Sequence, residues 1–209
     1  MQKKSKNEIA NFLDVGTGEG LALIEASKKE WNVYGIDISD NRTQEAKDEK
    51  IKFVKGELSS LNLPRDFFDA IYMDSVLEHL TNPLENLKEM NRILKPSGVV
   101  YIGVPNEDSL FNDFRKIVFA LTGKGEISEK INPFKPSYHV VGFTKKSLRI
   151  AAEKAGFKIL EIINFAARFE FMKYPLSSRG FRVHLLTLPI DLFAIILRRE
   201  VYLEAFLTK

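Results

Sequence analysis

Short apolar segments alternate along the chain with segments in which apolar residues recur every three or four positions. The short segments are typical of buried strands, and the periodic ones of helices with one buried face. Leu84, Leu87 and Met90 show the helical period, and Pro96 with Gly98 is expected to end that helix. Strands are predicted at 11–15, 32–37, 51–54, 68–73 and 99–104, and helices at 20–29, 41–48 and 84–94. This alternation predicts an α/β protein whose parallel sheet carries helices on both faces.

The second half of the chain departs from this regular pattern. The segment 106–143 contains a predicted helix at 108–121 and then an irregular stretch, so we interpret it as an insertion. Thr144 is placed to cap a helix at 145–155, because its hydroxyl can accept from a backbone N–H at the helix start. Further strands are predicted at 157–164 and 201–207. The apolar segment 176–199 is predicted to be helical with a break at Pro189.

The run from Phe12 to Gly20 carries the strongest chemical signal. An apolar strand containing Asp14 leads into Gly16, Gly18 and Gly20. Glycine lets the backbone turn sharply and approach a ligand closely, and a helix start leaves N–H groups pointing into the same space. A dinucleotide site would have the spacing G-x-G-x-x-G and would disfavour a carboxylate beside its pyrophosphate. The tighter spacing and Asp14 favour a ligand with a cationic group instead.

Asp37 ends the second predicted strand, about twenty residues after the glycine loop. A carboxylate in that position suits hydrogen bonds from ribose hydroxyls. A ligand that has a ribose and a cationic amino-acid part but no phosphate is S-adenosylmethionine. Two alternatives stay open: a tight strand–helix turn without a ligand, and Asp37 as a helix N-cap.

Together the motifs resemble those of the class I S-adenosylmethionine-dependent methyltransferases, in the branch that includes the ubiquinone-biosynthesis-type enzymes. The resemblance covers about 12–163 and rests on the motifs at 13–20, 35–37, 68–73, 76–80, 92–98 and 104–106. It implies a Rossmann-like, doubly wound sheet of seven mostly parallel strands with helices on both faces. In that fold the last strand runs antiparallel between the fifth and the sixth.

The resemblance also implies which residues bind the cofactor, and these divide by the part of the cofactor they would meet. They are Asp14, Gly16, Thr17, Gly18 and Gly20 for the methionine part, Asp37 and Ile38 for the ribose, Glu57 and Leu58 for the adenine, and Asp74 and Ser75 beside the sulfonium. Glu57 stands where the family more often has Asp, and an exposed loop carboxylate is the alternative interpretation.

Glu78 and His79 are the sharpest catalytic candidates. A hydroxyl nucleophile must lose its proton, and His is the side chain best suited to accept it near neutral pH. His79 could therefore act as the base, or it could only orient the following helix. His139 resembles a His that precedes a Phe-Thr helix start in many relatives, with a substrate-contacting, lid-anchoring or structural role. Some hydroxyl-methylating relatives have an extra carboxylate three residues before this Glu and use the set to hold a divalent cation. This chain has Ser75 at that position. Because one ligand is therefore missing, we predict no metal.

Composition narrows the possible partners. The chain has 209 residues, no Cys and a net charge of +3 with both signs interleaved. This balance argues against a nucleic-acid binder, and the lack of Cys excludes disulfides and thiolate metal sites. The apolar stretch 185–197 is too short to span a bilayer. We expect a cytoplasmic protein and a single methyltransferase domain over 1–209, with the insertion at 106–143 and an apolar C-terminal segment at 176–199.

The predicted function is transfer of a methyl group from S-adenosylmethionine to a small-molecule, glycosidic or lipid-linked acceptor by in-line displacement. The sequence leaves open whether O, N or C is methylated. Contact of 176–199 with a membrane surface, or with a second copy in a homodimer, is a hypothesis. The alternative function is a catalytically silent relative that binds cofactor or serves as a partner subunit. A dinucleotide-dependent oxidoreductase is disfavoured by the glycine spacing and Asp14.

Overall fold

The protein is built around one seven-stranded sheet with the strand order β3-β2-β1-β4-β5-β7-β6. It is a computed structural model that describes residues 9–48, 50–122, 139–165, 175 and 177–209. The strands are β1 (Asn11–Val15), β2 (Asn32–Asp37), β3 (Ile51–Lys55), β4 (Phe68–Asp74), β5 (Leu94–Pro105), β6 (Lys158–Phe165) and β7 (Tyr202–Thr208). Strands β1 to β5 pair in parallel, whereas β7 is antiparallel to both β5 and β6. The predicted topology is confirmed.

Helices lie on both faces of this sheet. They are α1 (Leu21–Ser27), α2 (Pro83–Ile93), α3 (Leu110–Thr122), α4 (Lys145–Lys154) and α5 (Arg179–Leu197), and short 3₁₀ turns occur at Glu45–Lys47, Leu58–Ser60 and Leu77–His79. Leu23 of α1 packs with Phe12 and Val33 in the smaller core cluster. Leu87 of α2 and Leu148 of α4 are fully buried in the larger cluster on the opposite face. In the described part of the chain, no helix has the length and apolar character needed to cross a membrane.

Parallel pairing brings the ends of several strands to one edge of the sheet. Asp14 near the end of β1 lies opposite Gly35 of β2 and Tyr72 of β4. The loops that follow β1, β2, β3 and β4 therefore meet at this carboxyl edge, where open α/β sheets bind their ligands.

The predicted cap of α4 is confirmed. Thr144 Oγ1 accepts from the backbone N–H of Ser147 at 3.1 Å, and Ser147 Oγ in turn accepts from the backbone N–H of Thr144 at 2.9 Å. This capping box gives partners to two backbone donors at the helix start.

Three element predictions are wrong in detail. The segment 41–48 contains only the 3₁₀ turn Glu45–Lys47, because it buries Ala46 alone and has no apolar stripe to dock a longer helix. Strand β5 begins at Leu94, before Pro96, because Leu94 pairs with Phe68 of β4. Helix α5 continues through Pro189 without the predicted break. Proline removes one backbone donor, and the turns on either side keep their own hydrogen bonds.

Candidate functional site

A cavity of about 600 Å³ lies at the carboxyl edge of the sheet. Nine of the residues predicted from sequence line it: Gly16, Gly18, Asp37, Ile38, Glu57, Leu58, Asp74, Ser75 and His79. They come from the loops after β1, β2, β3 and β4, so residues spread over more than a quarter of the chain meet in one pocket. Its wall also contains Val76, Leu80 and Asn86, which the sequence analysis did not single out.

The glycine loop requires glycine for two different reasons. Gly16 has a φ of +81°, and a Cβ there would overlap Val76 Cγ2. Gly18 has a φ of +50° and open space where a Cβ would point. Gly16 is therefore needed for close packing inside the protein. Gly18 instead leaves its face of the loop open to the cavity.

Asp37 links the glycine loop to the end of β2. Its Oδ2 accepts from the backbone N–H of Gly18 at 3.0 Å, and its Oδ1 accepts from the backbone N–H of Ser39 at 3.0 Å. Charge-assisted hydrogen bonds of this kind are stronger than neutral ones. The carboxylate that was predicted to meet a ribose thus also holds the loop in shape.

Asp14, Thr17 and Gly20 are not among the residues that line the cavity. Asp14 lies beneath the loop with 2% of its surface exposed. Burial, and then the nearby charges of Asp37 and Asp74, raise the pKa of Asp14 from 3.8 to about 7. The structure thus gathers three carboxylates at this end of the sheet and leaves one of them half-protonated near neutral pH.

Thr17 and Gly20 serve the packing of the loop. Thr17 is buried, and its methyl group lies where Gly35 leaves room for it. Gly20 is the N-cap of α1 with a φ of +85°, and a Cβ there would overlap Ala46. Both residues therefore support the turn through packing inside the protein and not as part of the cavity wall.

Glu57, Leu58 and Ile38 form the wall of the cavity on the β2–β3 side. Leu58 is buried at the start of a 3₁₀ turn, with Glu57 as the turn's N-cap residue. Ile38 is exposed. An apolar wall beside a carboxylate suits a flat, partly polar ring such as a nucleobase.

Asp74 and Ser75 are held by a residue from the far end of the chain. The hydroxyl of Tyr202 on β7 donates to Asp74 Oδ1 at 2.6 Å and lies 2.6 Å from Ser75 Oγ. The contact crosses β5 at Gly103, where a Cβ would overlap Asp74 Oδ1. Ser75 also adopts a left-handed φ of +55°, a conformation that non-glycine residues seldom adopt without tertiary support.

Glu78, His79 and His139 lie together, and His79 lines the cavity. Glu78 Oε1 is 3.9 Å from His79 Nε2, and the rings of His79 and His139 are 5.1 Å apart at an angle of 71°. Glu78 is buried, which raises the pKa of its carboxyl. The two histidines come from distant parts of the chain, and the sequence analysis had not predicted that they meet.

A family described as "Methyltransferase domain" matches residues 2–162. The chain belongs to the methyltransferase domain family. The family predicted from the sequence motifs is thus confirmed.

Curated relatives of this chain align with only part of its length. A demethylmenaquinone methyltransferase from Staphylococcus aureus is 36% identical over 96 residues, which are 42% of this chain and 40% of the relative. A 37.1 kDa protein in transposon TN4556 of Streptomyces fradiae is 30% identical over 127 residues, which are 57% of this chain and 37% of the relative. The alignments thus span about two fifths of each relative.

Solved structures share the fold of this chain over nearly its whole length. A S-adenosylmethionine-dependent methyltransferase from Archaeoglobus fulgidus superposes with a TM-score of 0.66 at 20% identity, covering 96% of this chain and 86% of that one. The 1,6-didemethyltoxoflavin-N1-methyltransferase of Burkholderia thailandensis, solved with its substrate and S-adenosylhomocysteine, has a TM-score of 0.62 at 16% identity and covers 97% and 72%.

Two contacts at the site had no signal in the sequence: that of Tyr202 with Asp74 and that of His139 with His79. Tyr202 lies 128 residues after Asp74, and only the pairing of β5 with β7 brings its hydroxyl to the end of β4. His139 was singled out as a candidate, but its position beside His79 depends on the return of the chain after the insertion. Residues 123–138 of that predicted insertion lie outside the described residues.

Proposed function

We propose that the protein transfers a methyl group from S-adenosylmethionine to a small-molecule, glycosidic or lipid-linked acceptor. The observation that carries this proposal is that Asp37 and Asp74 line one cavity beside a glycine loop, with the buried Asp14 near both of them. Three carboxylates in close proximity repel one another and favour a cationic ligand. S-adenosylmethionine carries an ammonium and a sulfonium group, whereas a dinucleotide would bring further negative charge.

The lining residues fit this cofactor part by part. Gly18 exposes backbone to the cavity, Asp37 offers carboxylate oxygens at the end of β2, and Glu57 with Leu58 offers a polar and an apolar contact for a base. Asp74 lies across the cavity at the end of β4, where it would face positive charge. The cofactor supplies the activated methyl group, and the protein supplies position and electrostatics.

His79 is the residue of the site that we propose handles the proton of a hydroxyl acceptor. It lines the same cavity as the glycine loop, and its side chain is partly exposed. General base catalysis by a positioned His contributes about 10²–10⁴-fold in rate. Holding donor and acceptor in line contributes on the order of 7–11 kcal/mol, so positioning is the larger effect.

The acceptor is inferred from the apolar wall of the cavity and from the exposed apolar face of α5. Val76 and Leu80 give its wall an apolar side, and α5 exposes four apolar side chains at Leu192, Phe193, Ile196 and Leu197. An exposed apolar helix face of this size supports a lipid-linked acceptor presented at a membrane surface. Failure of the protein to bind anionic vesicles at low salt would remove this acceptor class and leave the soluble ones.

Calorimetric titration with S-adenosylmethionine tests the cofactor proposal. We expect one site per chain in the wild type and affinity at least about tenfold weaker in Asp37→Ala, because a hydrogen bond to a charged group contributes about 1.5–3 kcal/mol. Asp40→Ala is the matched control, since Asp40 pairs with Arg42 on the surface and does not line the cavity. Binding of NAD but not of S-adenosylmethionine would contradict the proposal.

Product analysis separates an enzyme from a catalytically silent relative. Extracts of cells with and without the protein should differ in a small molecule or lipid by the mass of one CH₂ group. A protein that binds S-adenosylmethionine tightly but yields no such product in any extract fraction would be the silent cofactor-binding subunit instead.

A further inference from the structure

The cluster of Glu78, His79 and His139 has the chemistry of a metal site. One ligand atom from each of the three residues lies within 4.8 Å of the other two. Ligand atoms at about 2.1 Å from a tetrahedral ion lie about 3.4 Å apart. Closing this cluster onto an ion therefore needs these atoms to approach one another by up to about 1.4 Å.

Glu78 supplies an independent sign that the cluster binds a cation. Only 2% of the residue is exposed, and its Oε2 has no hydrogen-bond partner among the residues that the structure describes. A buried carboxylate oxygen without a partner is costly, and most such groups in proteins are paired or coordinate a metal. A cation placed between Glu78 and the two imidazoles would give this oxygen its partner.

The backbone holds the three residues together. The N–H groups of Val140 and Val141 both donate to the carbonyl of Glu78, at 2.8 Å and 3.0 Å. His79 in turn donates its backbone N–H to the carbonyl of Val76 at 2.9 Å. Main-chain hydrogen bonds thus hold the backbone next to His139 close to that of Glu78.

We propose that Glu78, His79 and His139 form a binding site for one divalent transition-metal ion of the zinc, iron or cobalt type. Two imidazole nitrogens and one carboxylate match the preference of these ions, whereas Mg²⁺ and Ca²⁺ prefer oxygen ligands throughout. Three protein ligands leave at least one coordination position open. The expectation of no metal rested on Ser75, which lacks a carboxylate, and did not take account of His139.

The role of the ion rests on the proposed methyl transfer, although metal binding itself does not. An acceptor hydroxyl on the open position would release its proton to solvent at a lower pH, as metal-bound water does. The O–CH₃ bond would then form as the S–CH₃ bond breaks, with the electron pair staying on sulfur. Since a metal-bound imidazole nitrogen cannot accept a proton, this role replaces that of His79 as the base.

Titration of chelator-treated protein with Zn²⁺ and Co²⁺ tests the site. We expect one ion per chain, a visible absorption band for the Co²⁺ form, and much weaker binding of Mg²⁺. Glu78→Gln, His79→Ala and His139→Ala should each weaken Zn²⁺ binding at least about tenfold and remove the Co²⁺ band. Glu85→Gln is the control, because Glu85 is an exposed carboxylate on α2 that pairs with Lys88.

Circular dichroism of each variant checks its fold, and His79→Ala is expected to fold because His79 is partly exposed. Absence of stoichiometric Zn²⁺ and Co²⁺ binding, or equal binding by the wild type and all three folded variants, would overturn the metal site. Methylation by metal-free protein that is lost in His79→Ala would overturn the role of the ion in the reaction and assign His79 as the base. Titration of the same metal-free protein with S-adenosylmethionine keeps the two proposals apart, since failure to bind the cofactor would overturn only the proposed function.

Discussion

Replacing Asp14 by Asn should make the protein more stable above neutral pH and less able to bind its cofactor. The unfolded chain loses the Asp14 proton near pH 3.8, whereas the folded protein keeps it until about pH 7. Between these two values the native state binds more protons, so the free energy of unfolding falls as the pH rises, by about 1.4 kcal/mol per pH unit. Above pH 7 the full cost of the buried charge is on the order of 4 kcal/mol.

Asn has nearly the same shape as Asp and no charge, so Asp14→Asn should remove this cost. Urea denaturation at several pH values measures it as the difference in the free energy of unfolding between variant and wild type. We expect the stabilisation of the variant to grow by on the order of 3 kcal/mol between about pH 5 and about pH 8. Asp48→Asn, which changes an exposed aspartate away from the cavity, controls for the loss of a surface carboxylate.

The same substitution tests the proposed cofactor. A cationic ligand favours the ionised carboxylate, so binding of S-adenosylmethionine near pH 6 should release a proton from wild-type Asp14 and none from the variant. Calorimetry in buffers of different ionisation enthalpy detects this release. A stability difference between variant and wild type that is the same at pH 5 and pH 8 would refute the reasoning about burial and charge.

Three further substitutions test the packing around the site. Gly16→Ala would place a Cβ against Val76 at a residue with a positive φ. The substitution should lower the free energy of unfolding by about 1–3 kcal/mol or more and abolish cofactor binding. Unchanged thermal denaturation would contradict the close contact. Tyr202→Phe removes a donor to Asp74 and should cost about 1–3 kcal/mol in urea denaturation, since it removes a hydrogen bond from a charged acceptor. An equal midpoint would show that the hydroxyl contributes nothing. Thr144→Ala should lower the free energy of unfolding by about 1 kcal/mol, because α4 loses its cap. Calorimetry should find the same cofactor affinity as in the wild type. A weakened affinity would mean that α4 acts on the site.

Local signals in the sequence were sufficient to predict the glycine loop and the strand ends that line the cavity. The glycines at 16, 18 and 20 each take a positive φ in the structure, and the strand ends predicted from apolar runs place Asp37 and Asp74 at the cavity. The cap at Thr144 followed from one hydroxyl before a helical pattern. Such signals succeed because turns, caps and strand periodicity depend on residues only a few positions apart.

The predictions that were wrong concern competition between local preference and tertiary contacts. Pro96 and Gly98 suggested where a helix ends, but the pairing of Leu94 with Phe68 begins β5 before them. Pro189 suggested a break that α5 does not have. In each case hydrogen bonds or burial elsewhere outweigh the preference of a single residue.

The amino-acid sequence by itself determined the alternation of strands and helices, the glycine turn after β1 and the carboxylates at the strand ends. Only the tertiary structure decided that Tyr202 reaches Asp74 and that His139 lies beside Glu78 and His79. These contacts join residues far apart in the chain, and they depend on the order of strands in the sheet and on backbone hydrogen bonds across it. No pattern within a short window encodes that order, because it is set by the burial of the whole core.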